Sequence, residues 1–318
     1  MPVYNGMPYV REAIDSVRAQ SCQDWELVIS DNGSVDGTAD YVRSVQDSRI
    51  RFYQQTDNLG VYGNLNFLIA QAKSSIAKIL CADDTLLSGA LEKIATFMEE
   101  RPQCAVSRCW AVGDKKKYSV GGPNEIESTL PIRLEPNAAV LAYATCGNLV
   151  GNLSQAACRP QLIMQAGGFN VEFPYAGDRE AWVRVCNQSG LDLQNEELVF
   201  ERIHPNQFRN LLNKQYESIP QLNRTIELLA GFVKPVDVPL LKRHWTIHFL
   251  SPRLSPFIRE IARGRPQMAL KLWRDLPLGI SPLACIAAYP LWKFELAPAR
   301  STIRELFKRI SELNGGKL

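Results

Sequence analysis

A chain of 318 residues with 46% apolar and 22% charged side chains has the make-up of an ordinary globular protein and is long enough to bury a substantial core. Its formal net charge of +3 is too small to argue for a nucleic-acid ligand, and no run of eighteen apolar residues interrupts it as a membrane span would. Eight cysteines, without a CxxC pair or a histidine at zinc-finger spacing, read as reduced packing residues of a cytoplasmic protein.

The chain opens on MPVYNG, a polar turn with almost no apolar strand ahead of it. Val10, Ile14 and Val17 then recur at helical spacing and predict a helix over 9–20. WELVIS is a short apolar run with β-branched residues, which predicts a buried parallel strand, and DNGSVDGT after it is a dense cluster of turn formers. A helix restarts near Ala39; IRFYQQ is the next strand, NLGVYGN the next loop and LNFLIAQAKSS the next helix. AKILCADD predicts a further strand ending in acidic residues, followed by the helix GALEKIATFMEE. This alternation predicts an α/β fold with a mostly parallel sheet flanked by helices and joined by right-handed crossovers. Ligands of such sheets bind outside the carboxyl ends of the strands, so the clusters 31–34, 58–60 and 83–84 are expected to share one pocket.

Between 104 and 165 the pattern is less regular. GDKKKYSVGGPNE reads as an exposed basic loop and LVGNLSQAACRP as a strand returning to the sheet. A glycine turn then precedes a helix beginning near Asp178, with Trp182 and Val185 on one face. LVFERIHPNQF gives a last strand and a polar loop, and a boundary near 210–235 divides the chain into a domain over 1–210 and a helical extension over 211–318. The extension mixes Trp, Phe and Leu with Arg and Lys. That composition suits amphipathic helices lying on a membrane surface, and equally a helical subdomain that packs on the first domain or dimerises.

Several side chains can carry chemistry. The adjacent carboxylates of Asp83 and Asp84 can hold a divalent cation, or can simply satisfy backbone N–H groups at a helix start. Asp31, with Gly33, Ser34 and Asp36, can bind the polar edge of a base or sugar, or can close an Asx-turn. Asp178 can act as a general base or as a helix cap. His204 can contact a metal or phosphate, or stand in solvent. His244 and His248 have the spacing of a zinc pair without the Glu of HExxH, and read as a helix face.

Taken together and in this order, PVYNG, AIDSVRAQS, WELVISDNGSVDGT, NLGVYGN, CADDTLLSGALEK, GGF and GDREAWVRV resemble the family 2 glycosyltransferases over roughly residues 1–210. The resemblance implies the GT-A (Rossmann-like) nucleotide-sugar fold, a nucleotide-diphosphate-sugar donor, a Mg²⁺ or Mn²⁺ cofactor and transfer with inversion to a glycan or lipid-linked acceptor. It places Pro2, Tyr4 and Asp31 on the base and ribose, Asp83 near the ribose, and Asp84 near the metal. It also sets His204 near the metal or diphosphate, Gly167, Gly168 and Phe169 beside the acceptor, and Asp178 as the base. Two departures stand out: Cys81 occupies the first acidic place of a DxDD-type element, and Gly177 replaces a Glu that often precedes the base. They leave open a second reading, a non-catalytic sugar-nucleotide-binding or scaffolding relative. In the resembling family MPVYNG ends an apolar run, so the start of the first strand is expected upstream of Met1.

Overall fold

Pro2–Val3 (β1), Leu27–Asp31 (β2) and Ile50–Gln54 (β3) build a parallel sheet in the order β1-β2-β3. The computed structural model describes residues 1–113, 130–205, 207 and 219–316. Val3 lies opposite Asp31, which sets the ends of β1 and β2 side by side. Met1 prolongs this pairing: its amine donates to the Val28 carbonyl at 2.7 Å and its carbonyl accepts from Ser30 N at 3.1 Å. Burial lowers the pKa of that amine to about 5.

The helices between these strands follow the apolar spacing. Val10–Arg18 (α1) buries Val10, Ala13, Ile14 and Val17, and Thr38–Ser44 (α2) buries Ala39 and Val42. Gly60–Gln71 (α3) begins at Gly60, ahead of the predicted start at Leu65. The cause is tertiary. Leu59 N donates to Asn32 Oδ1 and Gly60 N to Asn58 Oδ1, both at 2.9 Å, so N–H groups of the first turn find partners within a sequence that reads as loop.

Ala77–Lys78 (β4), Thr85–Leu86 (β5), Ala90–Glu99 (α4), Val106–Gly113 (β6) and Arg133–Leu134 (β7) come next along the chain. After Pro136–Cys146 (α5), Ala156–Cys158 (β8), Pro160–Gln165 (α6), Gly177–Ser189 (α7) and Leu191–Glu201 (β9) complete the strands. The second sheet has the order β4-β8-β6-β9-β5, with β7 on β9. Here only β6 and β9 run parallel; β4 pairs antiparallel with β8, the strand that returns from 148–158. AKILCADD therefore contributes a ladder of two residues, and its acidic end lies in the turn before β5. Val3, Ile14, Ile29, Leu80, Ile94 and Met98 share one buried cluster, each large side chain contributing about 1.5–3 kcal/mol by leaving water. On α7 Trp182 and Val185 are buried, as their spacing predicts.

The chain divides into two units, residues 1–134 with 148–203, and residues 135–147 with 204–318. In the second, α5 joins Ile219–Phe232 (α8), Val238–Trp245 (α9), Leu254–Ala262 (α10), Pro266–Lys271 (α11), Pro282–Lys293 (α12) and Ala297–Leu313 (α13). Trp245 Nε1 donates to the Ala144 carbonyl at 2.7 Å, and His244 Nε2 lies 2.8 Å from the Thr145 carbonyl. Burial lowers the His244 pKa to about 3, so its ring is a neutral packing group 4.8 Å from that of His248. That is the helix face which the missing Glu suggested. None of the eight cysteines forms a disulfide, and among the described residues no helix is long and apolar enough to cross a membrane. The basic loop lies outside the described residues from 114 onward, as does most of the 206–218 boundary segment.

Candidate functional site

The turn after β1 is laced to the loop after β2. Asp31 is fully buried, and its carboxylate accepts from Ser34 N at 3.3 Å and from Ser34 Oγ, closing a local turn. Ser34 Oγ in turn accepts from Asn5 N at 2.7 Å, and Asn5 Oδ1 accepts from Val35 N at 2.9 Å. Gly6 N donates to Thr38 Oγ1 and Met7 N to Asp36 Oδ2, both at 2.9 Å. Pro2 is half-buried, while Tyr4 is 54% exposed. A Cβ on Gly6 would stand 2.5 Å from Val3 Cγ2 and 3.3 Å from Val10 Cβ, so the turn folds over Val3 and the start of α1 only without a side chain there. Asn32 joins the remaining cluster by donating to Asn58 Oδ1 at 2.7 Å.

Cys81 Sγ and carboxylate oxygens of Asp83 and Asp84 lie within 4.8 Å of one another, and among the described residues this is the one such group of three. Sequence comparison with the family pattern leaves only the two carboxylates there; the fold adds the thiol as a third donor. Asp84 is 3% exposed, with Oδ1 accepting from Arg202 N at 3.0 Å. Arg202 Nε also donates to the Asp83 carbonyl at 3.2 Å. Burial, and then the charge of Asp83, push the Asp84 pKa up to about 7. Burial and the same two carboxylates push the Cys81 thiol up.

The electrostatic cost at Asp84 has a measurable sign. Its carboxyl titrates near 3.8 when unfolded and near 7 when folded, so between those values the folded chain keeps a proton that the unfolded chain has lost. The group's contribution to stability therefore falls as pH rises from about 4 to about 7, by up to about 1.4 kcal/mol per pH unit. In chelator-treated protein, the stability advantage of Asp84→Asn over wild type should grow across that window and level off above it. Urea unfolding at a series of pH values reads this directly, and a pH-independent difference would refute it.

Asp178 stands in the first turn of α7, where the N-cap position is Ala176 and no side chain caps the helix. Its carboxylate is instead held from two sides. Tyr62 Oη donates to Oδ1 at 3.1 Å, and Asn148 Nδ2 lies at 3.5 Å from Oδ2. Burial, then the charge of Asp178, raise the Tyr62 phenol pKa, so Tyr62 stays a protonated donor. A Cβ on Gly177 would come within 2.7 Å of two Tyr62 ring carbons and 3.1 Å of the Asn170 carbonyl. The glycine that departs from the family pattern is thus the space that Tyr62 fills.

The GGF turn is fixed from below. Gly167 and Gly168 adopt φ of 97° and 63°. Asn66 brackets Phe169, accepting from its N at 2.7 Å and donating to its carbonyl at 2.8 Å. Arg184 donates to the Gly168 carbonyl at 2.6 Å while paired with Glu180 at 2.6 Å. The Phe169 ring is buried, stacked on Tyr62 with centroids 5.8 Å apart and edge-on to Trp182 at 5.1 Å. His204 belongs to the second unit, at its junction with the first in sequence.

Residues 148–155 tie the two acidic sites together along one short loop. Asn148 reaches Asp178 at one end, while at the other Ser154 Oγ accepts from Cys81 N at 2.8 Å and bonds the Asp84 carboxylate. Lys78 Nζ steadies that end by donating to the Ser154 carbonyl at 2.5 Å. Sequence alone singles out none of Tyr62, Asn148, Ser154 and Arg202, although Tyr62 lies within NLGVYGN, and each acts on a residue far from it along the chain.

Residues 1–146 match the family model described as Glycosyl transferase family 2. An uncharacterized glycosyltransferase of Rickettsia typhi is 27% identical over 240 residues, covering 74% of this chain and 70% of the relative. Among solved structures, Staphylococcus aureus TarS 1-349 in complex with UDP-GlcNAc has a TM-score of 0.65 at 16% identity, over 98% of this chain and 89% of the other. The mannosyltransferase PcManGT of Pyrobaculum calidifontis, in complex with GDP-Man and Mn²⁺, has a TM-score of 0.59 at 18% identity, over 98% and 85%.

Proposed function

Through residues 1–146 the chain belongs to glycosyl transferase family 2, and from that premise we propose that it moves a sugar from a nucleotide-diphosphate-sugar to a hydroxyl of a glycan or lipid-linked acceptor, with inversion and with Asp178 as general base. The observation that carries this reading is a carboxylate held on both oxygens by neutral donors and joined by one short loop to an acidic pair. A group so held is set in orientation yet keeps lone pairs for an incoming proton. The GT-A fold is shared with structures holding UDP-GlcNAc and GDP-Man, which supports a nucleotide-sugar donor.

In this reading Pro2, Tyr4 and Asp31 receive the base and ribose, and Asp83 the ribose. Asp84 holds a divalent cation with help from Asp83, with His204 as a further candidate ligand. The donor set fits such an ion through its two carboxylates, which suit Mg²⁺ or Mn²⁺, while the Cys81 thiol beside them, its pKa raised by burial, adds little to a hard cation. The raised Asp84 pKa points the same way, because burial and the neighbouring charge of Asp83 both disfavour its ionised form, which a bound cation would favour. When bound, the cation would offset charge building on the departing diphosphate. Asp178 takes the acceptor's proton, and the turn at Gly167, Gly168 and Phe169 borders the acceptor. Tyr62 and Asn148 keep the base from rotating away.

The test is to incubate purified protein with a panel of UDP-, GDP- and TDP-sugars plus Mn²⁺ or Mg²⁺ and read nucleotide release. Release that a chelator abolishes supports the reading; a donor that binds and is protected with every acceptor favours the non-catalytic alternative. Cation binding is checked separately by thermal unfolding. Mn²⁺ at about 100 times its Kd should add about 2.7 kcal/mol to wild type and far less to Asp84→Asn.

A further inference from the structure

Helix α12 is apolar on the side that faces away from its own unit. Cys285 and Ala288 are buried, whereas Leu283, Ala284, Ile286, Ala287 and Pro290, with Phe294 just past the helix end, are exposed. Leu283 is 75% and Phe294 69% exposed. These positions recur every three or four residues and form one stripe. No charged side chain occurs from Leu276 to Trp292, yet cations bracket the stripe, with Arg274 before it and Lys293 and Arg300 after it.

Charge decides what covers this face. From Leu254 to Arg300 the chain carries seven Lys and Arg against three acids. Of those acids Glu260 is buried, and Asp275 and Glu295 already pair with Arg274 at 3.3 Å and Arg300 at 3.6 Å. A second copy would bring the same positive surplus against it, whereas an anionic surface would be attracted. We infer that the exposed face of α12 inserts into the interfacial layer of a bilayer containing anionic lipid, with the flanking cations at headgroup depth. The inference does not depend on the sugar-transfer reading.

Flotation of the whole 318-residue chain with vesicles tests it. The protein should float with phosphatidylcholine vesicles that contain phosphatidylglycerol, much less with phosphatidylcholine alone, and less as salt is raised. Leu283→Asp with Ile286→Asp should lower the bound fraction at least about ten-fold, through the loss of two apolar insertions. Both side chains are exposed, so circular dichroism and the melting profile should be unchanged; Phe294→Asp, outside the helix, serves if the pair disturbs folding. Equal flotation of wild type and variant, or no flotation with anionic vesicles, would overturn the inference. So would sedimentation showing a wild-type dimer that the paired substitution dissolves, since the occupant would then be a second copy.

Discussion

Asp178→Asn is expected to lower sugar transfer by about 10²–10⁴-fold while donor affinity stays near that of the wild type. The replacement is isosteric, and its amide oxygen can still accept from Tyr62 Oη, which reaches Oδ1 at 3.1 Å. The amide nitrogen would face Asn148 Nδ2, but that contact is already long at 3.5 Å. Folding and the nucleotide end of the site should therefore persist, while the group that accepts the proton is gone. Steady-state turnover and a calorimetric donor titration, run on the same preparation, separate these outcomes. Turnover within a few-fold of wild type would remove Asp178 from the base role.

Gly177→Ala should reduce kcat by about 10²-fold with little change in the KM for the donor. Alanine is a better helix former than glycine by about 0.8–1 kcal/mol, so any loss cannot come from the helix itself. It comes from the added Cβ, 2.7 Å from the Tyr62 ring, which is buried and stacked on Phe169. The ring has to move, and its hydroxyl moves with it off Asp178. Tyr62→Phe removes the same hydrogen bond by another route. If both act through the orientation of Asp178, the double variant should lose little more than Gly177→Ala alone, whereas additive losses would mean that Gly177 and Tyr62 work independently.

The sequence by itself determined the parts of this protein that depend on neighbours a few residues apart. The spacing of Val10, Ile14 and Val17 gave a helix that buries those residues, and the β-branched run before DNGS gave β2 ending at Asp31. The pairing of Asp83 with Asp84 was visible as adjacent charge, and the order of motifs was enough to indicate the family. The tertiary structure alone decided the rest, because contacts across the chain leave no periodic trace. The start of α3 moved to Gly60 because Asn32, on another loop, accepts from Leu59 N. The AKILCADD strand shortened to two paired residues once β8 returned antiparallel beside it. The nearness of Cys81 to the acids follows from CADD itself, but the hold of Ser154 Oγ on its backbone N–H, from the 148–155 loop, is a contact that no local pattern encodes. Gly177 is the clearest case. In the sequence it is a missing carboxylate, and in the fold it is the space for a tyrosine 115 positions earlier, a relation set by how α3 and α7 come to lie together.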